Sequence, residues 1–251
     1  MLITQTNEAT KKLWEESFEE QIARQAYNTA PVEAVVRSIS YYFRGRFSPP
    51  QLEKLHFLEM GCGAGSNLLW LAQKGVKVSG IDISATALRL ARQTLEDAGC
   101  GHRIGQFIEG SVIESPFKNE SFDGIIEACV FQHLPKEDRL RAFQLVKALL
   151  KPGGLFVGYM LDVGHTAFRD RQKEQLEEDP GTLILSDGRS KLYLTNIGLC
   201  HFFRKKEIIR LLEGFSVVNP CLCRYYLPKE EAQKRGYSEY LQSMWTVYAI
   251  K

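Results

Sequence analysis

Apolar positions change their period several times along the chain, and each change marks a boundary. Between about Thr10 and Phe43, Trp14, Phe18, Ile22, Val32, Val35, Val36 and Ile39 recur at helical spacings around a break at Asn28 to Pro31, which predicts two short helices. The stretch Arg44 to Gln51 holds a Pro-Pro pair that cannot continue a helix, so an α/β core is expected to begin just beyond it. Runs of strand length follow at His56 to Met60, Val76 to Ile81, Gln106 to Glu109, Phe122 to Glu127 and Leu155 to Met160. Helical patterns at Ser66 to Gln73, Ser84 to Ala98 and Lys136 to Leu150 lie between most of them. Strand, helix, strand in this order implies right-handed crossovers and a parallel sheet covered on both faces.

The final third breaks the alternation. Leu161 to His201 joins the charged stretch FRDRQKEQLEED to TLILSDGRSKLYL, which reads as a hairpin turning at Asp187-Gly188, and the whole segment is expected to be an insertion. KKEIIRLLEGF then predicts a helix stopped at Gly214, SVVNPCLCRYYL a strand interrupted by Pro220, and MWTVYAIK a closing strand. The expected plan is a helical cap over residues 1–50 and a core over 51–251, with the insertion at about 161–201 as a substrate lid.

Composition narrows the class. A chain of 251 residues suits one domain carrying an insertion. A net charge of +2 with 25% charged residues lacks the single-sign excess of a nucleic-acid binder or a polybasic membrane binder. The six cysteines form no C-x-x-C pair and read mostly as buried free thiols in a reducing compartment, with no structural zinc. The start MLITQTNEATKK has no apolar core, and no stretch approaches the roughly 18 apolar residues of a membrane span, so a cytoplasmic protein is expected.

The densest chemistry lies in LEMGCGAGSNLLWLA, where Gly61, Gly63 and Gly65 stand between a strand and a helix. Such a turn lets backbone N–H groups and a helix end meet a polar ligand, though glycines also serve any tight strand-to-helix turn. Asp82, 21 residues beyond Gly61 at the end of the second strand, stands where a Rossmann-like sheet offers a carboxylate to a ribose diol; it can equally cap the next helix, as can Ser84. Ser66 occupies the sixth position, where a dinucleotide fingerprint requires glycine, which argues against a nucleotide-dependent oxidoreductase.

With Glu59 in front, LEMGCGAGS resembles the first motif of class I S-adenosylmethionine-dependent methyltransferases, and GIDIS resembles their second. EGSVIESPFKNESFDGIIEACVFQHL and LLKPGGLF continue the resemblance in order and spacing across about Leu55 to Tyr159, and the C-terminal helix and two strands also fit. The resemblance implies a three-layer α/β sandwich around a Rossmann-like seven-stranded, mostly parallel sheet whose last strand is antiparallel. It implies S-adenosylmethionine as cofactor, with Gly61, Cys62 and Gly63 along its methionine part, Asp82 on the ribose and Ile83 against the adenine. Ser111 and Val112 would flank the adenine edge, and Ala128 and Cys129 would lie near the amino-acid end. Many members carry Asp where this chain has Ser111, a weaker acceptor for the adenine amino group. The KPGG stretch, Lys151 to Gly154, suits a type II turn feeding the fifth strand.

Methyl transfer from a sulfonium chiefly requires alignment and no metal. A neutral acceptor must also lose a proton near the C-terminal edge of the sheet, where His133 in VFQHL is the candidate base, unless it only orders its loop. Asp162, His165 and His201 are candidates for acceptor binding on the same rim. Glu127 either fixes the cofactor's amino group or ends its strand, and Trp14 and Tyr27 form either a lid or plain core. No Asn-Pro-Pro-Tyr or Asp-Pro-Pro-Tyr follows the fourth strand, so DNA is not an expected partner. The cap and insertion look most like bacterial small-molecule methyltransferases, including those of sugar and polysaccharide pathways. The expected protein is a monomer or homodimer that methylates O or N of a small acceptor; the rival reading is a non-catalytic cofactor sensor or scaffold with a blocked acceptor cavity.

Overall fold

The alternating runs become strands and helices in the expected order. The structure, a computed structural model, describes residues 7–185 and 198–251. Helices α1 (Asn7–Ala23) and α2 (Glu33–Phe43) precede a short α3 (Pro49–Leu52). Then come β1 (His56–Met60), α4 (Ser66–Gln73), β2 (Lys77–Asp82), α5 (Ala85–Asp97), β3 (Ile104–Glu109), β4 (Phe122–Ala128), α6 (Lys136–Leu149) and β5 (Leu150–Leu161). The remainder holds α7 (Thr166–Arg169), β6 (Thr182–Ile184), β7 (Leu199–His201), α8 (Lys205–Leu211), β8 (Val217–Tyr226), α9 (Lys229–Lys234) and β9 (Leu241–Ile250).

The seven-stranded sheet runs β3-β2-β1-β4-β5-β9-β8. Its first five strands pair in parallel, whereas β9 lies antiparallel between β5 and β8. Strands buried on both faces need two apolar layers. Val35, Ile39, Leu68, Leu71 and Leu95 of α2, α4 and α5 pack on one face, and Phe143, Val146, Leu149 and Ile208 of α6 and α8 on the other, completing a three-layer sandwich. No described helix is long and apolar enough to cross a membrane.

Three local expectations change, and one is kept within a strand. The Pro-Pro pair opens α3 instead of only ending a helix, because proline's missing N–H falls where a first turn has no use for it. Pro220 does not interrupt β8: the strand lies at the sheet edge, where a residue without N–H need not break the ladder. Lys151 to Gly154 lie within the span of β5, where Gly153 at φ of +75° fits the expected type II turn and the register slips, Phe122 pairing with Leu150 but Gly124 with Leu155. Cys221 and Cys223 are exposed on β8, while Cys62, Cys100 and Cys200 are buried.

In the insertion, β6 pairs antiparallel with β7, so Thr182 faces His201 instead of a residue before Leu194. The expected Asp187-Gly188 turn lies outside the described residues. Leu161, Phe168, Leu183, Cys200, Phe202 and Met244 form a third apolar cluster beneath the insertion. A buried polar chain ties the segment to the sandwich. Arg139 on α6 makes two bonds to Asp179 (2.8 and 3.0 Å), and Thr182 Oγ1 donates to Asp179 (2.5 Å). His201 joins Thr182 (2.7 Å) to Glu207 on α8 (2.9 Å).

Candidate functional site

Parallel register sets Met60 opposite Ile81, which brings the glycine turn and Asp82 to the same sheet edge. The turn folds tightly onto β2: Gly61 and Cys62 N–H both donate to Ile81 O (2.7 and 3.2 Å), and Gly65 N–H donates to Cys62 O (2.9 Å). At Gly61, with φ of +78°, a Cβ would stand 2.3 Å from Val130 Cγ2. At Gly65, with φ of +80°, it would stand 2.9 Å from Ala91 Cβ, so glycine lets α4 and α5 meet.

Asp82, 6% exposed, holds this turn in place. Its Oδ2 accepts from Gly63 N–H (2.8 Å) and its Oδ1 from Ser84 N–H (3.0 Å). Burial raises its carboxyl above the ordinary range, outweighing the pull of these donors. Ser84, not Asp82, caps α5, its Oγ accepting from Ala87 N–H (3.0 Å). The N–H groups of Gly61, Cys62, Gly63 and Gly65 are all taken by protein acceptors. The turn is therefore poorly suited to cradle a pyrophosphate, and its rim offers a carboxylate to hydroxyl donors or a cation.

A cavity of about 420 Å³ opens from this turn, within the range of small-molecule sites. Gly61, Gly63, Asp82, Ile83, Ser111 and Val112 line one end; Ala128, Cys129 and His133 line its middle. Cys62 lies beneath the turn instead, buried against β2 at Gly80. Its thiol is pushed well above its usual range by burial and by Asp82 and Glu59, so it supplies no nucleophile. Cys129 holds φ of +63°, an unusual conformation for a side-chain-bearing residue, at the point where β4 ends in the cavity wall.

Helix α1 is the roof. Trp14 and Phe18 line the cavity, the Phe18 ring sits against Gly63, and the Trp14 ring meets His133 edge-on at 5.2 Å. Glu15 docks the helix on α5, accepting from Ser84 Oγ (2.6 Å) and Thr86 Oγ1 (2.5 Å), and Lys11 pairs with Glu109. Burial works to raise the Glu15 carboxyl, but the hydrogen bonds from Ser84 and Thr86 hold it below its usual range. Tyr27 is not part of the lining.

The protonation state of His133 follows from its neighbours. Gln132 Oε1 accepts from Leu161 N–H (3.1 Å), so the amide NH₂ must face His133 Nε2 (3.3 Å). Nε2 is then the acceptor and Nδ1 carries the proton, donated to Leu199 O (3.2 Å). Burial lowers the ring to about 4, so it is neutral in ordinary buffer. Two deeper carboxyls behind the site are raised by burial, Glu59 to about 8 and Glu127 to about 7. Glu59 accepts from Asn67 (2.7 Å), and Glu127 from Val130 and Phe131 N–H (2.7 and 3.1 Å). One oxygen of each lacks a partner among the described residues.

Of the candidate acceptor residues only His165 lines the cavity. Asp162 accepts from Ser243 Oγ (2.6 Å) behind the wall, and His201 belongs to the buried chain that anchors the insertion. Sequence reading missed Arg235, Tyr240, Gln242 and Met244, which close the far end. Arg235 and Tyr240 come from the β8–β9 connection and Gln242 and Met244 from β9 itself, and none carries a motif; only the pairing of β5 with β9 brings them to the site.

The sheet order is that of the Rossmann-like fold shared with solved methyltransferase structures. Residues 57–154 match the family model described as a methyltransferase domain. A sterol 24-C-methyltransferase of Gibberella zeae is 25% identical over 245 residues, covering 94% of this chain and 60% of that protein. A thiopurine S-methyltransferase of Vibrio atlanticus is 32% identical over 124 residues, covering 45% and 56%. The chain spans between about a third and three fifths of such curated relatives. Among solved structures, a 1,6-didemethyltoxoflavin-N1-methyltransferase of Burkholderia thailandensis, with 1,6-didemethyltoxoflavin and S-adenosylhomocysteine bound, has the same fold: TM-score 0.64, 16% identity, 100% of this chain and 91% of that one.

Proposed function

We propose that the protein transfers a methyl group from S-adenosylmethionine to an O or N atom of a small-molecule acceptor. One observation carries the reading: a single cavity connects Asp82 and the glycine turn to His133 and continues beyond it. A sensor with a blocked acceptor chamber would lack that continuation. The residues present fit the cofactor, because each oxygen of Asp82 accepts one backbone N–H and retains a lone pair for a ribose hydroxyl.

When bound, S-adenosylmethionine supplies an electrophilic methyl on a sulfonium. Asp82 would hold its ribose, Ile83 and Val112 would flank its adenine, and Ala128 and Cys129 would border its amino-acid end. His133 Nε2 would exchange its long bond from Gln132 (3.3 Å) for the acceptor's hydrogen bond and then take its proton. A base lowered to about 4 suffices, because an oxygen or nitrogen that is being methylated becomes strongly acidic. Trp14 and Phe18 would exclude water above it. The free cysteines support work in a reducing compartment.

Calorimetry with S-adenosylmethionine, S-adenosylhomocysteine and NAD tests the reading. The first two are expected to bind and NAD to remain silent. Binding of NAD alone would overturn it.

A further inference from the structure

Among the described residues that line the cavity, Asp82 and Arg235 are the only ones with a formal charge, and the sheet order holds them apart: Asp82 ends β2, while Arg235 precedes β9, which lies beyond β1, β4 and β5. Between them the wall is largely apolar: Trp14, Phe18, Leu161, Leu227 and Met244. Around Arg235 the polar groups are donors. His165 Nδ1 accepts from Ala167 N–H (3.2 Å), which puts the ring proton on Nε2, and that N–H has no partner among the described residues. Burial lowers the His165 ring to about 4, so it is neutral, and the same burial keeps the Tyr240 hydroxyl protonated. Tyr240 is 1% exposed, and its hydroxyl lacks a partner among the described residues.

Arg235 sits against the Tyr240 ring at 5.8 Å, and the Tyr240 ring meets His165 at 5.4 Å, so the three form one cluster. Glu231 takes only Arg235 Nη1 (3.0 Å) and is shared with Lys234 (2.6 Å), leaving a net positive charge on the three. An unpaired buried donor is costly, and a half-buried cation facing a largely apolar chamber favours an anion there.

We propose that the methyl acceptor is an apolar or aromatic carboxylic acid whose carboxylate is bound by Arg235, Tyr240 and His165, its body lying between Trp14 and Met244 and its reacting group at His133. This rests on the methyltransferase reading above and deepens it. A carboxylate is favoured over a phosphate because one cation and neutral donors balance a single negative charge but not two. The same lining disfavours a free sugar, whose hydroxyls would be left without partners on the apolar wall.

The test is calorimetry on the protein saturated with S-adenosylhomocysteine, using aryl and medium-chain carboxylic acids, each paired with its own neutral primary amide. At least one acid is expected to bind about tenfold or more tightly than its amide. Arg235→Gln should erase that preference, and Tyr240→Phe should reduce it several-fold. Both variants should keep wild-type affinity for S-adenosylhomocysteine and a wild-type melting profile. If no acid outbinds its amide, or if Arg235→Gln keeps the preference, the proposal fails while the methyltransferase reading stands. Absence of S-adenosylhomocysteine binding would instead sink that reading, and the acid and amide pairs are also titrated without it. Should Arg235→Gln fail to fold, Tyr240→Phe carries the same comparison, and an undiminished preference there counts against the proposal.

Discussion

Asp82 has two duties whose energies can be separated. Both its oxygens accept backbone N–H groups, so Asp82→Asn must aim an NH₂ at either Gly63 or Ser84, and Asp82→Ala leaves both donors bare. Each change should cost about 1 to 3 kcal/mol of stability as well as weakening S-adenosylhomocysteine, by roughly a hundredfold for alanine. Melting and titration of the two variants check this, and unchanged stability in both would show that the turn does not depend on the carboxylate. For His133, alanine should lower turnover about 10²-fold. With the ring held near 4, wild-type kcat/KM should stay level down to about pH 5. Gln132→Glu would set a carboxylate against the ring and favour the imidazolium, so the acidic limb should move upward. A profile unchanged by that substitution would mean that Gln132 does not set the state of His133.

Helix α1 contributes Trp14 and Phe18 to the site, yet its hold on the core is largely polar. Glu15 reaches the first turn of α5, where Ser84 and Thr86 donate to it and the helix N-terminus favours a negative charge. Glu15→Ala should release the roof without disturbing the sheet. Release of S-adenosylhomocysteine is expected to accelerate several-fold in stopped-flow measurements, and α1 amides should exchange faster, while the melting temperature changes little. Equal release rates in the variant and the wild type would show that the roof is held by its aromatic contacts alone. The insertion is held differently: the buried chain from Arg139 through Asp179 and Thr182 to His201 fixes it to α6 and α8.

Across the whole molecule, the buried carboxyls make stability depend on pH. Glu59 rises from 4.5 to about 8 and Glu127 from 4.5 to about 7, both chiefly by burial. Folding therefore favours their protonated forms. The stability they permit is full below about 4.5, where the unfolded chain is protonated too, and is lost as pH rises through 7 to 8. Denaturant midpoints of the ligand-free protein should fall between pH 5 and pH 8. Glu59→Gln, which keeps an acceptor for Asn67, should flatten much of that slope. A slope that survives in the variant would place the pH dependence elsewhere.

Sequence alone determined the sheet core, because strand and helix periods, the glycines of the first turn and the spacing to Asp82 are local features that the chain displays wherever it folds. The same locality put His133 at the cavity: it follows β4 by a few residues, so the strand delivers it. Tertiary structure decided the rest. Asp162, His165 and His201 look alike in sequence as polar residues near the rim, but only His165 lines the cavity; the other two are consumed by partners up to 81 residues away, Ser243 for Asp162. Arg235 and Tyr240 could not be seen in advance, since they meet His165 only when β9 inserts antiparallel beside β5 and folds the β8–β9 connection over the sheet edge. Periodicity reports which face of an element is apolar, whereas the partner of a polar side chain is set by long-range packing, which no local pattern encodes.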